Sequence, residues 1–171
     1  MRSMWKGSIS FGLVSIPVQL FSATEEKDIG FHQVHEADGG RVKYQRVCSI
    51  DGEVLQWSDI AKGYERDDGT TVIVTDEDLE TLPIPTKKVV EVLSFVPADQ
   101  IPSIALSKPY YAEPNGDAKP YVLLRDALVE EGRVAVVKVA LRQRERIAVL
   151  SAMDGVLVLQ TMLWPDEVRS P

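Results

Sequence analysis

Two short stretches of the chain carry side chains suited to binding phosphate. Residues 41–46 contain three cations and no acid, and residues 142–146 contain three arginines and one acid. The cations are Arg41, Lys43 and Arg46 in the first stretch, and Arg142, Arg144 and Arg146 in the second. Guanidinium groups stay charged at any physiological pH and hold phosphate oxygens in pairs. An isolated Arg-x-Arg-x-Arg is most often a solvated turn, but two basic stretches together raise the hypothesis of backbone binding to a nucleic acid.

The net charge of the chain does not exclude such a partner. The 171 residues include 19 basic and 26 acidic side chains, for a formal net charge of −7. Residues 51–91 hold eleven acids against four bases, which accounts for the whole excess, and the rest of the chain is balanced. A uniformly acidic protein would repel polyanions. Because the acids are concentrated in one segment, the local arrangement of the cations decides whether a polyanion binds.

Residues suited to catalysis or metal binding are few. His32 and His35 are the only histidines, and Cys48 is the only cysteine. On a helix both histidines could approach one metal, but further ligands are missing nearby and the flanking sequence predicts a strand, where they face opposite sides. Cys48 could act as a nucleophile, although a half-buried structural thiol is the better interpretation. No nucleophile-elbow or phosphate-loop motif is found, so we predict no catalytic residue, no metal and no cofactor.

Strands must position the basic side chains, because β-prone runs and tight-turn signals dominate the sequence. Asp154-Gly155 separates two such runs and predicts a hairpin, since both turn residues tolerate a positive φ. The predicted strands are residues 4–10, 16–21, 41–47, 71–74, 89–96, 110–112, 133–142, 147–153 and 156–163. Thr75 followed by three acids predicts the start of a short helix. Pro120 and Gly132 bracket a second helix.

These elements predict a mainly β fold, either a β-barrel or a tightly closed sheet with two short helices. The length suits one domain, and the single cysteine is typical of a reducing compartment. In the strand at 133–142, one face is purely apolar and is expected to enter the core. That face consists of Ala135, Val137, Val139 and Leu141. No apolar run approaches the ~18 residues of a membrane span, so we expect a cytoplasmic protein with no membrane partner.

The N-terminal region adds a specific resemblance to a known family. Residues 5–18 read WKGSISFGLVSIPV and closely resemble the opening W-x-G-x-I-x-F-G-L-V-x-I-P-V of the bacterial-type Ku proteins. Matching segments follow in order at residues 31–35, 62–65, 75–79, 121–124 and 163–169. Because the matches span nearly the whole chain, they are far more specific than a single motif.

The resemblance implies a Ku-type β-barrel core with one or two short flanking helices and a projecting bridge insertion at about residues 31–64. It also implies a homodimeric ring that threads onto the ends of double-stranded DNA, protecting and bridging them. The family's partner is an ATP-dependent DNA ligase of the ligase D type in non-homologous end joining, which implies a bacterial cytoplasmic protein associated with the nucleoid. Such a ring must contact phosphate and sugar, because base edges carry the sequence.

Charge and family architecture together suggest which residues line the DNA path. On the bridge they are Arg41, Lys43, Arg46 and Lys62, and a second lining is Arg142, Arg144 and Arg146. Many relatives have Cys-x-x-Cys-Gly where this chain has Cys48, followed by Asp51 and Gly52, so a missing thiolate excludes zinc binding there. The family normally continues into a helical segment and often a lysine-rich tail, whereas this sequence stops at Pro171. We expect residues 1–171 to be a single core domain without that extension.

Two other functions stay open at this point. The first is a β-barrel protein–protein interaction module without DNA binding, whose basic strands meet an acidic partner. The second, ranked last, is a hydrolase that uses His32, His35 or Cys48. Because aromatic residues are not spaced as stacking platforms, the sequence favours a duplex backbone over a single strand as the nucleic-acid ligand.

Overall fold

The computed structural model describes residues 2–81, 88–142 and 144–170. The strands are β1 (Trp5–Phe11), β2 (Val14–Ser22), β3 (Lys62–Glu65), β4 (Thr71–Val74), β5 (Val89–Pro97), β6 (Leu106–Pro114), β7 (Arg133–Leu141), β8 (Arg144–Met153) and β9 (Val156–Met162). The helices are α1 (Asp76–Glu80) and α2 (Lys119–Glu130). The chain divides into two compact units, an insert unit of residues 27–83 and a barrel unit formed by residues 1–26 and 84–171. The prediction of a single domain stays a prediction.

The barrel unit is a closed barrel of seven strands in the order β1-β2-β6-β9-β8-β7-β5. Neighbouring strands are antiparallel, except for the parallel pair of β1 and β5 that closes the barrel. The predicted mainly β, closed-barrel fold is confirmed. Insertion of residues 27–83 between β2 and β5 explains how a chain of short antiparallel connections acquires one parallel pair, since a parallel pair needs a long connection.

Alternate strand residues meet in the core of the barrel unit. The largest side chains with almost no exposed surface are Ile9, Ile16, Leu20, Leu150, Leu157 and Leu159. The predicted apolar face of β7 belongs to the same cluster, with Ala135, Val137, Val139 and Leu141 all buried. Burying a large aliphatic side chain stabilises a fold by about 1.5–3 kcal/mol. The core is therefore the main source of stability in this unit.

The Trp-x-Gly motif of β1 has a packing reason. The indole of Trp5 donates its Nε1–H to the carbonyl oxygen of Ala140 on β7 at 3.1 Å. A Cβ atom at Gly7 would collide with both the carbonyl oxygen of Lys88 and the Trp5 indole. Glycine at this position therefore lets β1 approach the chain that leads into β5.

The second predicted helix and the predicted hairpin are both confirmed. Helix α2 begins one residue before Pro120 and packs on β7 and β8, with Leu124 and Leu128 buried. Gly132 follows it with a φ of 60°, the left-handed conformation that terminates helices. Strands β8 and β9 are joined through Asp154 and Gly155, whose φ values are 50° and 81°.

Within its described residues, the insert unit contains three local hairpins, the helical turn Trp57–Asp59 and the short helix α1. The first hairpin comprises residues 33–42, the second comprises residues 46–55, and the third is the two-stranded sheet of β3 and β4. Thr75 caps α1 as predicted, because its hydroxyl accepts the Asp78 N–H at 3.1 Å and Asp78 Oδ2 accepts the Thr75 N–H at 2.9 Å. None of the described residues of this unit is buried. The bridge predicted at residues 31–64 falls within the unit, and its role as a bridge stays a prediction.

The predicted strand at residues 41–47 is wrong. Arg41 and Val47 each form one isolated bridge, to Val34 and Val54 respectively. The reason is that each end of the segment belongs to a different tight turn, so no partner runs alongside the whole of it. The strand expected around His32 and His35 is wrong for the same reason, because the chain turns at residues 36–38. Strand β3 was not predicted.

Among the described helices, neither has the length and apolar character needed to cross a bilayer.

Candidate nucleic-acid interface

Arg41 is positioned by the first hairpin. The His35 N–H donates to the carbonyl oxygen of Gly40 at 2.8 Å, and the Val42 N–H donates to that of Gln33 at 3.0 Å. At the tip, His35 Nδ1 lies 3.0 Å from Asp38 Oδ2. This contact and the Gly40 N–H hold the pKa of Asp38 below its ordinary value of 3.8. Arg41 therefore lies at the end of a hydrogen-bonded hairpin, and its side chain is exposed.

Lys43 connects the first and second hairpins and is exposed. Its neighbours in sequence, Val42 and Tyr44, are exposed as well. The three cations of residues 41–46 thus face solvent, within a stretch that contains no acid.

Arg46 is held against an aromatic ring. Its backbone carbonyl accepts the Leu55 N–H at 2.8 Å at the open end of the second hairpin. Its guanidinium carbon lies 3.8 Å from the centroid of the Trp57 ring. Trp57 begins a single helical turn in which Asp59 Oδ2 accepts the Gln56 N–H at 3.1 Å. The contact is a cation–π stack that fixes the direction of the guanidinium.

Cys48 contributes to the turn of the second hairpin. The Cys48 N–H donates to the carbonyl oxygen of Glu53 at 2.9 Å. The Asp51 carboxylate accepts the Glu53 N–H at 3.0 Å. This bond, together with one from the Cys48 thiol, lowers the pKa of Asp51 below 3.8. An aspartate thus fills the place that a second cysteine takes in the family pattern, and it bonds to the thiol within the turn.

Lys62 begins β3 and its charge is partly neutralised. Its ammonium Nζ lies 2.9 Å from Asp76 Oδ1 at the start of α1. Both side chains are largely exposed, so the ion pair is screened by water and easily exchanged. Its predicted contact with DNA stays a prediction, and a phosphate would have to compete with Asp76.

The second basic stretch runs from the turn after β7 into the first residues of β8. Arg142 has a φ of 50° in this turn, and Arg144 and Arg146 pair with Leu141 and Val139 across the ladder. Gln143 lies outside the described residues. The position predicted for these arginines, at a strand end or connection, is confirmed, whereas their contact with DNA is untested.

A neighbouring ion pair reduces the charge of this surface. Lys138 Nζ lies 2.8 Å from Glu145 Oε1. The hydrogen bond to Glu145 and the attraction between their charges raise the pKa of Lys138 above 10.5. Lys138 and Glu145 therefore largely neutralise each other, and Glu91, the partner of Lys138 on β5, adds a further negative charge beside them.

The family model for the Ku70/Ku80 beta-barrel domain matches residues 10–171. The chain belongs to the Ku family. Proteins named "Non-homologous end joining protein Ku" from Frankia casuarinae and Mycolicibacterium smegmatis are 59% and 48% identical to it, with alignments that cover 100% of this chain and 43% and 55% of those proteins. The Mycobacterium tuberculosis protein of the same name is 45% identical, and the alignment covers 64% of it. The chain therefore spans about half the length of the curated relatives it matches.

These matches confirm the Ku resemblance seen in the sequence. They do not assign individual residues, so DNA contact by the seven cations named above stays a prediction. Those of residues 41–62 belong to the insert unit, and those of residues 142–146 belong to the barrel unit.

The exposed aromatic side chains of the insert unit were not predicted as site residues. Phe31, Tyr44, Trp57 and Tyr64 are 91%, 77%, 72% and 65% exposed. The contact between Arg46 and Trp57 joins residues eleven positions apart on an irregular backbone. No helical or strand periodicity marks that pair, so no sequence signal pointed to it.

Proposed function

We propose that this Ku domain binds the ends of double-stranded DNA without regard to base sequence, as one subunit of a homodimeric ring in non-homologous end joining. The observation that carries the proposal is the match to end-joining Ku proteins over the whole chain. In this role the ring protects and bridges DNA ends and recruits an ATP-dependent ligase of the ligase D type. The site of action is the bacterial nucleoid.

The exposed cations of the insert unit support phosphate binding. Arg41 and Arg46 stand on hydrogen-bonded hairpins, and Lys43 lies between them. Because backbone phosphates look alike at every sequence, cations on such a frame hold the duplex without reading its bases. The acids that give the chain its net charge lie mainly after residue 50. The surface formed by residues 41–46 can therefore be basic although the chain as a whole is acidic.

The apolar surface of the insert unit supports a homodimer. Its exposed large apolar residues are Ile29, Phe31, Val34, Val42, Tyr44, Val47, Ile50, Val54, Trp57, Ile60, Tyr64 and Ile73. Isolated hairpins are marginally stable in water, because they cannot bury both faces. Exposed apolar side chains in such number favour a protein interface, and a second copy of the chain would cover them, apart from the rings of Tyr44 and Trp57 that accompany the cations.

A binding role rather than an enzymatic one is supported by what the reactive side chains do. His35 pairs with Asp38, and the Cys48 thiol bonds to Asp51. Both contacts stabilise turns at the surface of the insert unit, which is a structural role for these side chains. We therefore propose no catalytic residue and no cofactor.

The test compares two forms of one duplex. Linear DNA and covalently closed circular DNA of equal length and sequence are incubated with the protein and then challenged with competitor DNA and high salt. We expect the protein to be retained on the linear form alone, because a closed protein ring can pass onto DNA only at a free end. Equal retention on both forms would refute end threading, and retention on neither would favour the protein interaction module. Sedimentation with a short blunt duplex reports the number of subunits bound.

A further inference from the structure

The stack of Arg46 on Trp57 leaves one face of an aromatic ring available. The guanidinium carbon is 3.8 Å from the ring centroid and covers one side of the indole. Trp57 is nevertheless 72% exposed. An indole covered on one face retains such exposure only if its other face is open to solvent.

The open face is held in a fixed position. The Leu55 N–H bonds to the carbonyl of Arg46 at 2.8 Å, and Val47 and Val54 form a bridge next to it. Beyond the hairpin, the Asp59 carboxylate closes a helical turn around Trp57. The ring therefore loses little conformational freedom when a flat ligand stacks on it, which favours binding.

The charge of Arg46 and of its sequence neighbours favours a negatively charged ligand with a π-face. Arg41 and Lys43 belong to the same exposed basic stretch of sequence as Arg46, which also contains the exposed Tyr44, and the nearby Asp59 carboxylate is engaged by the Gln56 N–H and the Ser58 hydroxyl. An apolar protein surface would leave these cations desolvated without partners. A nucleotide meets both requirements, since its base stacks on the indole while its phosphate meets a cation.

We propose that Trp57, backed by Arg46, stacks on an unpaired base of the overhang at a DNA end. A base inside a duplex has both faces covered by its neighbours, so only an unpaired base offers a face to the indole. This inference rests on the proposed binding of DNA ends and adds to it a preference for ends that carry single-stranded nucleotides.

The experiment measures binding to two duplexes closed by a hairpin at one end. One has a blunt open end and the other has a four-nucleotide overhang with 2-aminopurine at its first unpaired position. For Trp57→Ala we expect at least a fivefold loss of affinity for the overhang duplex, since base–aromatic stacking is worth ~1–3 kcal/mol. We also expect loss of the 2-aminopurine quenching and no change on the blunt duplex. Trp57→Phe should retain most of the preference, because it retains a ring.

Leu13→Ala serves as the control, because Leu13 is a fully exposed large apolar side chain outside the insert unit and belongs to neither proposed surface. Unchanged overhang affinity in Trp57→Ala would overturn the inference, as would an equal loss on both duplexes. Loss of self-association by Trp57→Ala would also overturn it, by showing that a second copy covers the ring. If the unmodified protein binds neither duplex, the proposed function fails and this inference fails with it. If it binds both equally, only this inference fails.

Discussion

The hydroxyl of Tyr121 on α2 donates to the carbonyl oxygen of Ala112 on β6 at 2.6 Å. The hydroxyl oxygen in turn accepts the N–H of Leu157 on β9 at 2.7 Å. Ala112 and Leu157 are partners at the end of the β6–β9 ladder, so the phenol bridges the backbones of that last pair. Because Tyr121 is buried, this single side chain ties the helix to the barrel where two strands separate.

Replacement of Tyr121 by phenylalanine is expected to lower the free energy of unfolding by about 1–3 kcal/mol. The reason is that the Leu157 N–H and the Ala112 carbonyl lose their shared partner in a buried place. Urea denaturation followed by circular dichroism measures the change. Tyr111→Phe on β6 is the control, since no hydrogen bond of its hydroxyl is found among the described residues, and its unfolding midpoint should not move. An unchanged midpoint for Tyr121→Phe would contradict the bridging role.

High pH should weaken the same contact. Burial raises the pKa of Tyr121 above its ordinary value of 10.0, with the Leu157 N–H acting against that rise. The unfolded chain therefore releases this proton at a lower pH than the folded chain does, and stability falls as pH rises above 10. Below pH 10, the contribution of the Tyr121 hydroxyl to the free energy of unfolding is fully present.

The measurement is the difference in unfolding free energy between the unmodified protein and Tyr121→Phe, taken from pH 8.5 to 11.5. Subtraction removes the effect of the other four tyrosines. We expect the difference to be constant up to about pH 10 and to shrink above it. A difference that grows with pH would mean that the phenolate, not the phenol, is favoured in the fold.

Part of this architecture follows directly from local sequence signals. In β7, β8 and β9, runs of β-branched residues surround a turn at Asp154 and Gly155 that accepts positive φ, so strand bounds and core-facing side chains could be predicted. Helix α2 was predictable because its proline and its glycine mark opposite ends. In each case the residues that specify the element lie within or next to it.

In the insert unit, only strand β4 and the capped start of α1 could be predicted in the same way. Its first two hairpins are held by turn hydrogen bonds rather than by burial, so the apolar alternation that identifies a strand is missing from them. The β-prone residues at 41–47 are therefore divided between two turns. The candidate cations could be identified from the sequence because they are charged. Their partners could not, because Trp57 lies eleven residues from Arg46 and Asp76 lies fourteen residues from Lys62.

Removal of the ion-pair partner of Lys62 tests whether this lysine contacts DNA. Asp76→Asn removes the carboxylate that lies 2.9 Å from its ammonium, while the Thr75 cap of α1 stays in place. If Lys62 contacts phosphate, blunt duplex binding should strengthen by about two- to fivefold, as expected for breaking an exposed ion pair that competes with the ligand. Glu77→Gln makes the same charge change on the next residue and should have a smaller effect. Equal effects of the two variants would mean that only net charge matters.

Joint replacement of Arg41, Lys43 and Arg46 by alanine tests the main candidate lining. Blunt duplex ends of several unrelated sequences should all be bound more weakly and by the same factor, because phosphates carry no sequence information. The slope of log K against log salt should become shallower by about 0.9 for each phosphate that the variant no longer neutralises. Fluorescence anisotropy measures both quantities over a series of salt concentrations.

Two further variants make that result decisive. Lys119→Ala removes one exposed cation outside both basic stretches and should leave the slope unchanged. Joint replacement of Arg142, Arg144 and Arg146 by alanine gives the corresponding change in slope for the second candidate lining. An unchanged slope in the first triple variant would remove residues 41–46 from the DNA path. A shallower slope in the second variant alone would place the path on the β7–β8 connection, because only cations that displace condensed counterions alter the salt dependence.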